Sequence, residues 1–135
     1  MRLRTKSLEV RKSTIPKAGL GLFARRSFRK GELVGYFKGE LISDRKASSL
    51  KSPHQFYLID LGKDNNLDVY ESASLAKFAN DAEGLVKVRS RKNNSTIYAC
   101  SNQQMAFISA TQDIEANEEI FLEYGKDYWD VFKNI

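Results

Sequence analysis

Short runs of β-branched and aromatic residues, broken every few positions by Gly, Asn or Asp, dominate this sequence. Apolar residues rarely recur at the spacing of an amphipathic helix, so helices can account for little of the chain. Runs of this kind predict brief strands joined by tight turns, and therefore a mainly β fold. The predicted strands are Leu8–Arg11, Leu33–Lys38, Glu40–Ile42, Gln55–Leu61, Leu67–Val69, Thr96–Cys100, Met105–Ala110 and Glu119–Glu123.

Few short helices are predicted, and the first two follow a serine that can cap the first turn. One is Asp44–Leu50 after Ser43, and the other is Ala73–Phe78 after Ser72. A further helical turn is predicted at Lys126–Lys133. All three are too short to form a helical core, so they are expected to lie on a β framework.

Two segments, Ser27–Leu33 and Asp113–Ile120, repeat the same turn chemistry. Both predict a hairpin-like corner, because turn-forming residues precede a short apolar run. Asn117 fits a position with positive φ in the second corner, since Asn tolerates that conformation best after Gly. The polar and basic stretch Ala82–Asn94 predicts an exposed loop.

The length of 135 residues allows one domain, residues 1–135, and little more. One cysteine, Cys100, and one histidine, His54, exclude an internal disulfide, a zinc finger and any multi-histidine metal centre. The longest uncharged stretch, Asn93–Gln112, is too polar to span a membrane. A reducing compartment is expected, hence an intracellular protein of the cytoplasm or nucleus according to its source.

Positive charge is concentrated at the front of the chain. Lys and Arg total 22 against 17 Asp and Glu, a net charge of +5. Ten of those cations lie within the first thirty residues, where Glu9 is the single acid. A basic face suits nucleic acid or an acidic protein surface, although it is more often only solvated. Charge alone therefore does not choose a function.

Three motifs could carry chemistry. The first is the pair Gly19 and Gly21, where the missing Cβ would let a backbone approach a ligand. The second is Leu75–Ala82, a helix end that leaves polar groups for a ligand. The third is Glu118–Trp129, in which a strand delivers Tyr124 to a glycine turn before two large aromatics. Each motif alone is more readily explained as a turn, a cap or a hydrophobic latch.

Together, in this order, the motifs resemble the SET-domain family of protein lysine methyltransferases. The resemblance covers about residues 8–129. With a single cysteine, the chain is expected to be a minimal SET domain without the zinc-binding modules that many members carry. The matching blocks are Gly19–Ala24, Gly31–Val34, Gly39–Ile42, Asp68–Tyr70, Lys77–Asn80, Glu118–Ile120 and Glu123–Gly125.

The resemblance implies a SET fold, with several small β-sheets around a C-terminal pseudoknot. In that fold the segment ending at Tyr124 passes beneath an earlier loop and meets Asn80, an unusual threaded connection. The resemblance also implies S-adenosylmethionine as methyl donor and no metal. The cosubstrate's methionine end is expected near residues 17–22 and its adenine near Asn80 and Asp81. The implied cosubstrate-binding residues are Lys17, Gly19, Leu20, Gly21, Leu22, Asn80, Asp81, Tyr124 and Trp129.

The implied reaction is methyl transfer to the ε-amine of a lysine in a protein or peptide, with a histone tail as the common family target. A free lysine has a pKa of about 10.4, which an apolar channel and a nearby sulfonium would lower. Tyr124 is the implied catalytic tyrosine and would orient the amine, since alignment supplies most of the rate. The implied channel residues are Tyr57, Tyr98, Phe107, Leu122 and Tyr128, although core packing is the more ordinary explanation for the first three.

The match departs from the family at four places. Asp81 stands in the place of a histidine, Asn117 in the place of a glycine, and Leu122 where Tyr or Phe is frequent. The pair Asn93-Asn94 stands in the place of Pro-Asn, after a longer and basic loop. The number of methyl groups transferred is therefore left open. Two alternatives also stay open: a SET-fold module that binds peptide or cosubstrate without catalysis, and a small basic β-rich protein that binds nucleic acid. Nucleic acid is not expected as a substrate.

Overall fold

The computed structural model describes residues 3–83, 91–100 and 105–123. Strands dominate these residues, so the predicted mainly β class with few short helices is confirmed. The strands are β1 Leu8–Lys12, β2 Leu20–Ala24, β3 Leu33–Phe37, β4 Glu40–Ile42, β5 Leu58–Gly62, β6 Asn65–Asp68, β7 Ser95–Cys100, β8 Met105–Ala110 and β9 Glu119–Ile120. The helix α1 is Asp44–Ser49, and 3₁₀ turns occupy His54–Phe56 and Leu75–Phe78.

The nine described strands form three small antiparallel sheets of three strands each. Sheet one has the order β1-β2-β9, sheet two β3-β8-β7, and sheet three β4-β6-β5. In each sheet, strands that are distant in sequence become neighbours. The last described strand, β9, pairs with β2, so segments about a hundred residues apart in sequence become neighbours.

One main hydrophobic core joins the sheets. It takes the inward-facing side chains of β1 and β2 together with residues from β3, β8 and β9. The side chains that are almost fully buried are Phe28, Leu22, Leu67, Ile108, Ile114 and Ile120. A smaller cluster of Ile15, Ala82 and Phe121 lies apart from this core, next to the turn that follows β1.

The two predicted corners have the same construction. In the first, the backbone N–H of Arg29 donates to the Glu32 carboxylate, and Gly31 has a φ of 87°. In the second, the backbone N–H of Glu115 donates to the Glu118 carboxylate, and Asn117 has a φ of 75°. The corners pair with each other through the bridge between residues 28 and 114. The prediction of shared chemistry and of positive φ at Asn117 is therefore confirmed.

Local signals predicted the helices with mixed success. The first helix and its Ser43 cap are confirmed, because the Ser43 hydroxyl accepts from the backbone N–H of Lys46. The second is only a 3₁₀ turn, capped by Ser74 and not by Ser72. The turn predicted at Lys126–Lys133 lies outside the described residues.

The structure differs from the sequence analysis at two further places. Strand β2 was not predicted, because Gly21 interrupts its apolar pattern and suggested a turn. In the loop predicted at Ala82–Asn94, Glu83 and Lys92 are exposed, but Ala82 is fully buried and Asn94 is 4% exposed. Both ends of that stretch are anchored in the interior, and residues 84–90 between them lie outside the described part of the chain.

Candidate active site

The turn between β1 and β2 presents exposed backbone. Lys17 and Gly19 have positive φ values of 65° and 75°, and the Ser13 N–H donates to the Gly19 carbonyl at 2.8 Å. Lys17, Gly19 and Leu20 are exposed, and no atom lies within 4 Å of the position that a Cβ would take at Gly19. Backbone groups of this turn are therefore accessible to a ligand.

Gly21 and Leu22 are buried instead, on opposite faces of β2. A Cβ at Gly21 would lie 2.3 Å from the Glu119 Oε2 atom, so glycine makes room here for a carboxylate of the chain itself. Leu22 has no exposed surface and packs in the main core. Of the residues assigned to the cosubstrate's methionine end, Lys17, Gly19 and Leu20 are the ones that solvent reaches.

Asn80 links this turn to the end of the described chain. Its side-chain Nδ2 donates to the Leu20 carbonyl at 2.9 Å, and its own carbonyl accepts from the Leu122 N–H at 2.8 Å. Residues 80 and 121 form a parallel bridge. The structure thus brings together Asn80, the exposed turn and the strand that leads to Tyr124 two residues later. Tyr124, Tyr128 and Trp129 themselves lie outside the described residues.

The Asp81 side chain is directed into the protein. It is 8% exposed, and its Oδ1 atom accepts from the Glu83 N–H at 2.9 Å and from Asn93 Nδ2 at 2.9 Å. Asn93 in turn accepts from the Ala82 N–H at 2.8 Å. The carboxylate therefore holds residues 81–83 against Asn93.

Asn94 and Ser95 hold the other side of the last strand. The Asn94 amide donates to the Glu119 carbonyl at 3.0 Å and accepts from the Phe121 N–H at 2.9 Å. The Ser95 hydroxyl donates to the Phe121 carbonyl at 2.8 Å. The segment 119–122 therefore lies between Asn80 on one side and Asn94 and Ser95 on the other. This arrangement is compatible with the expected pseudoknot, whose threading stays a prediction because residues 84–90 are not described.

Glu119 was not recognised from the sequence as a site residue. Its carboxylate is 6% exposed and accepts from the Ser13 hydroxyl at 2.7 Å, from the Thr14 N–H at 2.8 Å and from the Thr14 hydroxyl at 2.6 Å. The two polar residues after β1, opposite a glycine on β2, were the signal available in the sequence. No local pattern, however, connects positions more than a hundred residues apart.

The predicted channel residues fall into two groups. Tyr98 and Phe107 face each other across β7 and β8, and Tyr36 pairs with Phe107 from β3. Tyr98 is 55% exposed, so the alternative that it packs in the core is wrong. Leu122, by contrast, is 3% exposed and packs in the main core.

Tyr57 belongs to a separate aromatic cluster with His54 and Tyr70. The ring centroids of Tyr57 and Tyr70 are 5.1 Å apart, and those of His54 and Tyr70 are 4.8 Å apart. The Nδ1 atom of His54 lies 2.7 Å from an Asp68 carboxylate oxygen. Burial lowers the pKa of Lys77 beside this cluster, where its ammonium donates to the Tyr70 carbonyl at 2.8 Å.

An open depression of about 600 Å³ adjoins the Glu119 carboxylate on the outer face of sheet one. It includes Thr14, Phe23, Arg91 and Lys92 but none of the residues predicted to bind the cosubstrate.

Within the described ranges, no three His, Cys, Asp or Glu side chains are close enough together to hold a metal ion. Nor does any helix in the described part of the chain have the length and apolarity needed to cross a membrane.

Comparison with known proteins agrees with this architecture. The family model described as the SET domain matches residues 19–125, which is most of the chain. The chain therefore belongs to the SET-domain family.

Similar curated proteins include histone-lysine N-methyltransferase EZ2 of Zea mays, 30% identical over 115 residues that cover 79% of this chain. Histone-lysine N-methyltransferase EZA1 of Arabidopsis thaliana is 31% identical over 113 residues, again 79% of this chain. A variant-silencing SET domain-containing protein of Plasmodium falciparum (isolate 3D7) is 26% identical over 140 residues, or 96% of this chain. The chain spans only 12% of the two plant proteins and 5% of the Plasmodium protein.

Proposed function

We propose that this SET domain transfers a methyl group from S-adenosylmethionine to the ε-amine of a lysine in a protein substrate. The observation that carries the proposal is the double contact of Asn80, which donates to the Leu20 carbonyl and accepts from the Leu122 N–H. Through this residue the exposed turn of residues 17–20 meets the strand that precedes Tyr124. A bound cosubstrate and a tyrosine hydroxyl would be neighbours in such an arrangement.

The described residues fit the cosubstrate by their donors and acceptors. S-adenosylmethionine, when bound, supplies an electrophilic methyl group on a positively charged sulfur. Lys17, Gly19 and Leu20 offer backbone amides and carbonyls that an amino-acid moiety can bond, and Gly19 leaves space for close approach. Asn80 and the backbone of Asp81 would bind the adenine end, because the Asp81 carboxylate is engaged within the protein. Trp129 is proposed to cover the adenine.

Tyr124 is the proposed catalytic residue. A phenol can orient the lysine amine by hydrogen bonding without ionising, and it can hold its oxygen near the polarised methyl group. The amine must lose its proton first, and an apolar channel favours the neutral form because burial disfavours the charge. Most of the acceleration would then come from alignment of two bound reactants.

The lysine channel is proposed to include Tyr57, Tyr98, Phe107, Leu122 and Tyr128. Tyr98 and Phe107 are available for this role, because both keep exposed surface on one face of sheet two. Leu122 would contribute indirectly. Its side chain is buried in the core and would hold in place the segment that leads to Tyr124. Two of the similar proteins are named histone-lysine methyltransferases, so a histone tail is the first substrate to test, and a nuclear location would follow from such a substrate.

The test replaces Tyr124 with Phe and measures methyl transfer and cosubstrate binding separately. Labelled S-adenosylmethionine is incubated with a panel of lysine-rich proteins that includes histones, and labelled lysine is identified by mass spectrometry. Transfer should fall at least tenfold, about 1.4 kcal/mol of barrier, while the cosubstrate Kd is unchanged. Tyr36→Phe is the comparison variant: it removes the hydroxyl of an exposed tyrosine that lies beside Phe107 and has no assigned role in catalysis, so it shows the effect of losing a phenol next to the channel.

Three results would count against parts of the proposal. Full activity of Tyr124→Phe would reject the role of the phenol. Cosubstrate binding without transfer to any protein of the panel would favour a binding module without catalysis. Steeply salt-dependent binding to RNA or DNA without cosubstrate binding would favour the nucleic-acid alternative.

A further inference from the structure

We propose that Glu119 is a positioning residue, which sets the affinity for cosubstrate by holding the turn that binds it. This inference rests on the proposed function. It assigns a role to a side chain that contacts neither reactant and acts through Ser13 and Thr14. The turn of residues 13–20 would move more freely without Glu119, because hydrogen bonds to the Glu119 carboxylate hold it against β9.

The contacts form a short chain of hydrogen bonds. Glu119 accepts three, two from hydroxyls and one from the Thr14 N–H, at 2.6–2.8 Å. Ser13 transmits this anchor, because its N–H donates to the Gly19 carbonyl at 2.8 Å and its hydroxyl accepts from the Ile15 N–H at 3.0 Å. Both ends of the exposed turn are therefore fixed by one carboxylate.

Stability alone does not account for a carboxylate at this position. Glu119 is 6% exposed, so its carboxylate loses most of its hydration, and it accepts hydrogen bonds from two hydroxyls and one backbone amide. Replacing buried charged groups with well-packed apolar side chains is often neutral or stabilising. A carboxylate orients its hydrogen-bond donors, whereas an apolar side chain does not. The three donors from Ser13 and Thr14 must point at the Glu119 oxygens, which fixes the orientation of the turn.

The same strand supports the other side of the proposed site. Glu119 pairs with Phe23 of β2, and three residues later Leu122 donates to the Asn80 carbonyl. One short segment therefore positions both the turn of residues 13–20 and Asn80. A displacement of Glu119 would change the distance between these two parts, which the cosubstrate must bridge.

The test uses Glu119→Ala, which removes both acceptor oxygens. The Ser13 hydroxyl, the Thr14 hydroxyl and the Thr14 N–H then lose their acceptor, so the turn should loosen. Glu119→Gln is the conservative variant and should stay closer to wild type, because its oxygen can accept both Thr14 bonds while its NH₂ donates to the Ser13 hydroxyl. Calorimetry should show a cosubstrate Kd raised about tenfold, while kcat at saturating cosubstrate stays within about threefold of wild type. Amide hydrogen exchange of residues 13–20 should accelerate about tenfold, with β8 unchanged. Glu115→Gln, an exposed acid in the second corner, is the matched control.

The outcomes separate this inference from the function on which it rests. Faster exchange in residues 13–20 with an unchanged Kd would mean that Glu119 is only structural and would overturn the inference. A fall in kcat without a change in Kd would overturn it as well. If the wild-type protein binds no cosubstrate, the proposed function fails and this inference fails with it, whereas normal wild-type binding with an unaltered variant rejects the inference alone.

Discussion

Replacing Gly21 with Ala tests how tightly β2 and Glu119 pack together. The new Cβ would lie 2.3 Å from Glu119 Oε2, 3.1 Å from its Cδ and 3.2 Å from the Ser13 Cβ. The carboxylate must therefore move, although three hydrogen bonds hold it in place. Each bond to a charged group contributes about 1.5–3 kcal/mol, so losing two costs about 3–6 kcal/mol.

A domain of this size loses about 3–4 °C of melting temperature per kcal/mol, which gives a fall of about 10–25 °C. Thermal unfolding followed by circular dichroism measures it. The matched control is Gly35→Ala, whose Cβ would make an ordinary 3.5 Å contact with Leu8 and should change stability by less than about 1 kcal/mol.

A double-mutant cycle makes the prediction specific to this contact. In a Glu119→Ala background the carboxylate is gone, so Gly21→Ala should cost far less than in the wild-type protein. Equal costs in both backgrounds, or a Gly21→Ala variant as stable as the control, would show that the carboxylate does not select glycine at this position.

Three other substitutions test local features. Asp81→Ala removes the acceptor of two part-buried hydrogen bonds and should lower the free energy of unfolding by about 1–3 kcal/mol in urea titration. Asn117→Val forces a β-branched residue to a φ of 75° and should cost about 1–3 kcal/mol, whereas Asn117→Gly should be tolerated. Glu32→Gln should remove part of the acid sensitivity, because the hydrogen bond from Arg26 lowers the pKa of Glu32 below its ordinary 4.5.

The sign of the pH effect follows from that lowered pKa. A carboxyl whose folded pKa is depressed stabilises the protein above its unfolded pKa, and this contribution is lost as the pH falls through the folded value. The difference in urea midpoint between wild type and Glu32→Gln should therefore be present at pH 6 and disappear at acid pH. A difference that does not shrink as the pH falls below the ordinary pKa of 4.5 would contradict the assignment. For Asp81, an Asp81→Asn variant that is no more stable than Asp81→Ala would show that the acceptor oxygen is unimportant.

Local chemistry predicted those parts of the fold whose partners lie within a few residues. The two corners are examples, because Glu32 and Glu118 each cap a backbone N–H three residues earlier in the same turn. The Ser43 cap of α1 is another. In each case a side chain and its partner are close in sequence, so the pattern of residue types contains the contact.

Contacts between distant segments had no such pattern. Gly21 suggests a turn from the sequence alone. A side chain at this position would clash with the carboxylate of Glu119, which lies 98 residues later in the sequence. Tyr98 was expected to pack in the core as readily as Tyr57, since alternation along β7 does not tell which face of sheet two is covered. The motif order identified the proposed site, but the hydrogen bonds that build it became visible only in the fold.

The crossing of chain segments at the site explains why polar side chains build it. The segment 119–122 meets residue 80 on one side and residues 94–95 on the other, through single parallel bridges instead of complete ladders. Its backbone groups still need partners, because unpaired buried amides and carbonyls are costly. Asn94 supplies both a donor and an acceptor. Its Nδ2 donates to the Glu119 carbonyl, and its Oδ1 accepts from the Phe121 N–H. Asp could accept but not donate, and an apolar residue could do neither, so the groups that complete the fold here also determine the geometry in which Tyr124 is proposed to act.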